Sequence, residues 1–318
     1  MGNERKPVDL VLEGGGVKGI ALLGAVLHLY DEGYRFPRIA GTSAGAIVAA
    51  LVASYQKDNR DLHELGEVMY DVPYSQFAKE SPLQRATGKL GDYVEFMLRE
   101  GMHKSDILVE WLGPILAARG VRTFADLSID DPQTSLQPYQ RYAIVVHTSD
   151  VSRKVLVRLP WDYDQYGFAA AEQQVVEAVR ASMSIPFFFR PVQLATNRGQ
   201  VTWVDGGMLS NFPITAFDRT DGRPPRWPTW GIKLSSAPSD DLPDTPVTTA
   251  LEIAVHCLET LTSEWNRYGL AAEGVNQRTI YVDTSGYSSR DFNLDRAAQS
   301  TLLGRGQAAA QAFLTQNP

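Results

Sequence analysis

Three short stretches of this 318-residue chain hold residue types that could do chemistry together. The first is Gly41-Thr42-Ser43-Ala44-Gly45, which follows the apolar run Phe36-Pro37-Arg38-Ile39-Ala40 and leads into a helical pattern from Ala46 to Ala53. Strand, sharp turn and helix in that order read as a nucleophile elbow. Gly41 and Gly45 leave room for the turn, and Ser43 projects from it with its oxygen exposed. The helix that starts beside Ser43 adds free backbone N–H groups and the positive end of its dipole where negative charge would develop. A serine so placed is a candidate nucleophile for acyl transfer.

The second stretch is Gly14-Gly15-Gly16-Val17-Lys18-Gly19, between the strand-like Val8–Glu13 and a helical pattern through Ile20, Leu22, Leu23, Val26, Leu27 and Tyr30 that Gly33 stops. An attacked ester turns its carbonyl oxygen into an oxyanion that needs preorganised donors about 3 Å away, and three consecutive glycines offer unobstructed N–H groups. Lys18 either adds to that positive field or is a solvated helix-start residue, the second being the simpler reading. Gly14, Gly16 and Gly19 also satisfy the Gly-x-Gly-x-x-Gly dinucleotide fingerprint, so a nucleotide-binding protein is a rival. That fingerprint requires an acidic residue at the end of the second strand, about 20 residues on. The second strand here ends in Ala40-Gly41, while Asp31 and Glu32 close the first helix, so the rival ranks lower.

The third stretch is Val201-Thr202-Trp203-Val204-Asp205-Gly206-Gly207, a strand running into a carboxylate and two glycines, with Asn211-Phe212-Pro213 beyond. Sheets of the α/β class keep their active sites at such strand ends. Asp205 could simply cap the turn. It becomes a general-base candidate because the serine needs a proton acceptor and the five histidines are poorly placed. His28 and His256 fall in helical patterns, and His63 and His103 in polar stretches. Only His147, at the end of the apolar strand Tyr142–Thr148, competes, which leaves a Ser-His-Asp esterase as a second rival.

The remaining elements must position these stretches. Helices are expected over Ile107–Ala118, Val175–Ser182, Val247–Glu273 and from about Asp295 to Leu314, and strands over Lys154–Leu159, Trp230–Leu234 and Arg278–Asp283. The polar, helix-leaning segment 57–101 could cover a site, although packing is the simpler reading of its aromatic residues. Phe187-Phe188-Phe189 could likewise face an acyl chain or fill a core. No charge shift or linker marks a boundary, so residues 219–318 read as an extension packed on the same α/β domain.

Composition narrows the function classes. With 30 basic against 37 acidic residues, a net charge of −7 and no basic tract, nucleic acid is not an expected partner, nor is polybasic docking on anionic membranes. One cysteine, Cys257, excludes an internal disulfide and cysteine-based metal sites and reads as a packed thiol. The polar Met1–Pro7 runs straight into a strand, and no apolar run approaches the ~20 residues that span a bilayer. A soluble, cytoplasmic protein is expected.

Taken together, Gly14–Gly19, Gly41–Gly45, the segment Ala181-Ser182-Met183-Ser184-Ile185-Pro186-Phe187-Phe188-Phe189-Arg190-Pro191-Val192 and Asp205-Gly206-Gly207 resemble the patatin-like phospholipase family, in order and in spacing. The resemblance covers residues 8–218. It implies a three-layer α/β/α fold with a mostly parallel central sheet and lipid acyl hydrolysis by a Ser–Asp dyad. By it Ser43 is the nucleophile, Asp205 the base and Gly14, Gly15 and Gly16 the oxyanion loop, with Lys18, Gly19, Gly41, Gly45, Gly206 and Gly207 supporting the motifs. No cofactor or metal is implied. The implied partner is a lipid or ester, with transient membrane-surface contact and an open oligomeric state. An aspartate with an ordinary pKa of about 3.9 can serve as base only if burial raises it.

Overall fold

The computed structural model describes residues 5–79, 107–131, 136–186, 188–234, 274–289 and 291–317, together with residues 247, 253, 256, 257 and 260. The expected helix Val247–Glu273 falls almost entirely outside the described residues, as do residues 80–101 of the possible cover, His103 and Phe187.

The chain opens with a two-residue strand, β1 (Lys6–Pro7), and then β2 (Asp9–Leu12), helix α1 (Gly19–Asp31), a short β3 (Tyr34–Arg35) that pairs with β1, β4 (Ile39–Thr42) and helix α2 (Ala44–Lys57). β4 begins three residues later than the apolar run suggested. Pro37 has no N–H for a ladder, and Phe36 pairs instead with the Gln56 amide, its N–H donating at 2.9 Å and its C=O accepting at 2.9 Å. Helices α3 (Leu65–Tyr70) and α4 (Tyr74–Lys79) occupy the start of segment 57–101, and α5 spans Ile107–Ala118. β5 (Ile144–Asp150), β6 (Val155–Leu159), α6 (Val175–Ser182), β7 (Val192–Thr196), β8 (Gly199–Asp205) and the single-turn α7 (Gly207–Ser210) follow. The chain closes with β9 (Thr229–Lys233), β10 (Thr279–Tyr281) and the long α8 (Arg296–Gln316).

Eight strands make the main sheet, in the order β10-β9-β2-β4-β5-β8-β7 with β6 also on β5. The run from β10 to β5 is parallel, and β6, β8 and β7 join by antiparallel pairings. β2, β4 and β5 are buried along their whole length, as parallel strands covered on both faces must be. Side-chain alternation divides the core. Leu10, Leu12, Ile39, Val146 and Ile232 pack with the helices, whereas Val11, Ala40 and Val145 point the other way onto Trp161, Phe212, Ile214 and Phe217. Phe188 and Phe189 lie partly buried against the helical side of the core.

One feature of the register decides where the site forms. On β5, His147 pairs with Thr42 of β4 and with Arg158 of β6, and the next residue, Thr148, pairs with Asp205 of β8 and with Val157 of β6. Since β6 occupies one edge of β5 at both positions, β4 and β8 share the other edge. They meet there end to end, each by its C-terminus.

Cys257 is exposed rather than packed. Ile253, Cys257 and Thr260, one helical face at i, i+4 and i+7, are all exposed. Among the described residues no helix is long and apolar enough to cross a membrane.

The long α8 crosses α1 with backbones almost touching. A Cβ on Gly24 would lie 2.0 Å from the Leu303 carbonyl oxygen, and one on Gly306 would lie 2.0 Å from that of Ala21. Gly304, on the same helix, has nothing within 4 Å of such a Cβ. Gly306→Ala is therefore expected to destabilise by about 1–3 kcal/mol through forced separation of the helices. Gly304→Ala should stabilise by about 0.5–1 kcal/mol through helix propensity. Urea denaturation of both variants checks the opposite signs.

Candidate active site

Ser43 sits between β4 and α2 with φ 53° and ψ −122°, a backbone conformation that side-chain-bearing residues rarely adopt. Several contacts hold it there. Its N–H donates to Ser182 Oγ at 2.8 Å, and that hydroxyl in turn donates to the His147 carbonyl at 2.6 Å. Its carbonyl accepts the N–H groups of Ala46 and Ile47, and Thr42 Oγ1 donates to the Ser210 carbonyl at 3.0 Å. Gly41 and Gly45 allow the turn to close on itself and on β2. A Cβ on Gly41 would lie 2.3 Å from Gly45 O, and one on Gly45 2.4 Å from Leu12 O.

The serine oxygen is not exposed as the elbow pattern suggested. Ser43 keeps only 4% of its surface, because Met183, at the end of α6, covers it and receives the Ser43 hydroxyl at 3.6 Å on its thioether sulfur.

Asp205 arrives at the same place by the end-to-end meeting of β4 and β8. Its Oδ1 accepts the Gly207 N–H at 2.6 Å, whereas Oδ2 is buried with no hydrogen-bond partner. Burial raises its pKa to about 7, against the lowering effects of the nearby Ser43 hydroxyl and the Gly207 N–H. Gly206 has no room for a side chain, since a Cβ would lie 2.2 Å from His147 O.

The glycine turn faces the elbow, with the Gly14 Cα side packed on Ser43 Cβ. The three glycines are not equivalent. Gly14 N–H donates to Asn211 O at 3.0 Å, and Asn211 Nδ2 donates back to Gly14 O, so Gly14 has no N–H left for a substrate. Gly15 and Gly16 donate to no group among the described residues. Gly16 adopts φ +57°, which suits glycine. Gly19 starts α1 close to Ala44, where a Cβ would be 3.3 Å from the alanine methyl.

Lys18 is turned inward rather than solvated, with Nζ donating to Thr284 Oγ1 at 3.1 Å. Desolvation lowers its pKa, the Glu13 carboxylate raises it in part and Lys233 lowers it further. Glu13 and Lys233, at the ends of β2 and β9, form a buried ion pair, and Glu13 Oε2 also accepts the Leu234 N–H at 2.6 Å.

His147 does not join this group. Its ring is fully buried, and desolvation lowers its pKa to about 4, so it is neutral at pH 7. Gly41, Arg158 and Asp162 act on it, and no hydrogen bond links it to Ser43 or Asp205 among the described residues. The dinucleotide requirement is also unmet, because β4 ends on Thr42, with Ser43 next, where a carboxylate would be needed.

A patatin-like phospholipase family profile matches residues 10–218. The chain belongs to the patatin-like phospholipase family. It is 34% identical over 315 residues to the uncharacterized protein YqhO of Bacillus subtilis, a match covering 97% of this chain and 98% of that one. It is 28% identical over 222 residues to an uncharacterized NTE family protein of Mycobacterium tuberculosis, covering 68% of this chain and 29% of the other. Among solved structures, ExoU of Pseudomonas aeruginosa in complex with SpcU overlays with a TM-score of 0.48 at 19% identity, covering 98% of this chain and 53% of that one. This patatin-like chain has the three-layer α/β/α fold of its family and is a lipid hydrolase.

Sequence reasoning did not single out Ser182, Met183 and Asn211 within the motifs that contain them, and it missed Leu234, Thr284 and Ser289. The first three lie in quoted segments. Leu234 closes the expected strand Trp230–Leu234, but nothing local marks it, Thr284 or Ser289 as part of a site, because only the fold brings them to the glycine turn.

The raised pKa of Asp205 has a consequence for stability. In the unfolded chain this carboxyl ionises near its ordinary value of 3.8, but in the fold it holds its proton until about 7. Stability is therefore lost as pH rises between those values, by about 4 kcal/mol for a difference of roughly three pKa units. Asp205→Asn removes the penalty. Urea denaturation is expected to show the variant more stable than wild type at pH 8, with the advantage largely gone at pH 4.5.

Proposed function

We propose that Ser43 and Asp205 act as a dyad that hydrolyses a lipid carboxylic ester through an acyl-enzyme. The observation that carries this reading is Asp205 itself: a fully buried carboxyl, raised to about 7, with one oxygen unpartnered beside the Ser43 hydroxyl. Rotation of that hydroxyl from Met183 towards Oδ2 supplies the missing partner. Asp205 then accepts the proton as Ser43 Oγ attacks the ester carbonyl.

Negative charge develops on the carbonyl oxygen, and the donors proposed for it are the N–H groups of Gly15 and Gly16, with Gly14 serving to hold the turn. Collapse of the tetrahedral intermediate releases the alcohol, which takes the proton from Asp205, and leaves the acyl group on Ser43. In the second half Asp205 takes a proton from water, whose oxygen attacks the acyl-enzyme. The fatty acid leaves, and Ser43 regains its proton. The acyl chain has to displace Met183, which presently covers the serine.

The chemistry needs Asp205 ionised, so kcat/KM should rise with pH through a single ionisation near 7 and level off above it. A fluorophosphonate probe, read by intact mass and peptide mapping, is expected to give one adduct on Ser43. Ser43→Ala should give none, and Asp205→Asn should react about 10²–10⁴-fold more slowly with the pH dependence gone. Labelling of Asp205→Asn at the wild-type rate would remove Asp205 from the mechanism, and loss of labelling in a folded His147→Gln would favour the histidine instead.

A further inference from the structure

The donors proposed for the oxyanion belong to a turn of five residues, Gly14–Lys18, and most of what holds that turn lies beyond residue 218. Asn211 fixes Gly14 from inside the family-matched region. Leu234 fills the space over Gly15, where a Cβ would be 2.3 Å from Leu234 Cδ1. The Ser289 carbonyl accepts the Val17 N–H at 3.2 Å and occupies the place of a side chain on Gly16, at 2.1 Å from a Cβ there. Lys18 closes the turn on Thr284.

We infer that Thr284 is a positioning residue for the Gly15 and Gly16 donors, acting through Lys18 on one side and Leu234 on the other; the inference rests on the acyl-hydrolase reading above. Thr284 is buried, and its hydroxyl works both as donor and as acceptor. It donates to the Leu234 carbonyl at 2.9 Å and accepts the Lys18 ammonium at 3.1 Å. With the Leu234 N–H held by Glu13 Oε2, both polar groups of the Leu234 backbone are fixed, and so is the side chain that lies on Gly15.

Glu13 is itself neutralised by Lys233, which leaves Lys18 as a second cation beside a carboxylate already paired. Thr284 is the neutral acceptor that keeps Lys18 turned inward. Removing its hydroxyl strands the Leu234 carbonyl and frees the last residue of the turn to move towards water, which carries the Gly15 and Gly16 N–H groups away from the oxyanion position. A donor displaced by about 1 Å loses most of its value to the transition state while leaving ground-state binding intact.

The test compares wild type, Thr284→Val and Thr284→Ser in steady-state hydrolysis of p-nitrophenyl butyrate and of its thionoester, in which sulfur replaces the carbonyl oxygen and fits such donors poorly. Thr284→Val, which keeps the shape without the hydroxyl, should lower kcat for the oxygen ester about 10–100-fold with KM within about twofold. It should also reduce the preference for the oxygen ester over the thionoester, a ratio that loss of folded enzyme does not move. Thr284→Ser should return kcat to within about threefold of wild type. If Thr284→Val does not fold, Leu234→Ala is read by the same ratio. An active wild type with a Thr284→Val that keeps its kcat, or keeps its oxygen-ester preference, overturns the inference alone. A wild type inert to the esters and to the fluorophosphonate probe overturns the hydrolase reading and this inference with it.

Discussion

The structure depends on one constraint: β4 and β8 share an edge of β5 and meet on it end to end. Thr42 and Asp205 lie opposite consecutive residues of β5, so the residue after one strand and the last residue of the other fall together. A slip of one residue in either ladder would turn Ser43 or Asp205 to the opposite face of the sheet. The contacts that prevent a slip converge on the junction. Ser182 joins the Ser43 N–H to the His147 carbonyl, Gly206 packs against that same carbonyl, and the Asp205 N–H donates to Ser184 O at 2.9 Å.

The junction is held at a cost that the surrounding core offsets. Ser43 occupies a backbone conformation unfavourable by roughly 1–3 kcal/mol, and Asp205 is desolvated with one oxygen unpartnered. Both penalties have the same use in the proposed chemistry. Strain at Ser43 sets the hydroxyl beside the carboxyl, and desolvation raises that carboxyl until it can accept a proton near neutral pH. Relieving either would make the protein more stable and less suited to acyl transfer.

Residues after the family-matched region are built into the same device. β9 pairs with β2 and β10 with β9, so the sheet edge nearest the glycine turn comes from the C-terminal hundred residues. α8 lies on α1, the helix that the turn opens. Two buried ion pairs fasten this side of the sheet at opposite ends of β2, Asp9 with Arg38 and Glu13 with Lys233. Pairs of this kind contribute little net stability, but losing one partner leaves a buried charge uncompensated, which is strongly destabilising.

The sequence by itself determined the chemistry-bearing residues and their local geometry. Glycines on both sides of Ser43 specify an elbow, three glycines before a helix specify a turn with open N–H groups, and Asp205 before two glycines specifies a strand-end carboxylate, because each of these rests on backbone sterics over a few residues. The apolar start of β5, Ile144-Val145-Val146, likewise announced a strand covered on both faces, whereas the burial of Asp9 in β2 and of His147 to Asp150 in β5 did not show in their residue types. Tertiary structure alone decided the rest. It set Met183 over Ser43, committed the Gly14 N–H to Asn211, raised Asp205, turned Lys18 inward to Thr284 and left His147 neutral and apart. Each of these outcomes depends on which distant groups share a buried volume, and burial and pairing across 100 or more residues leave no mark on the spacing of neighbours in a chain.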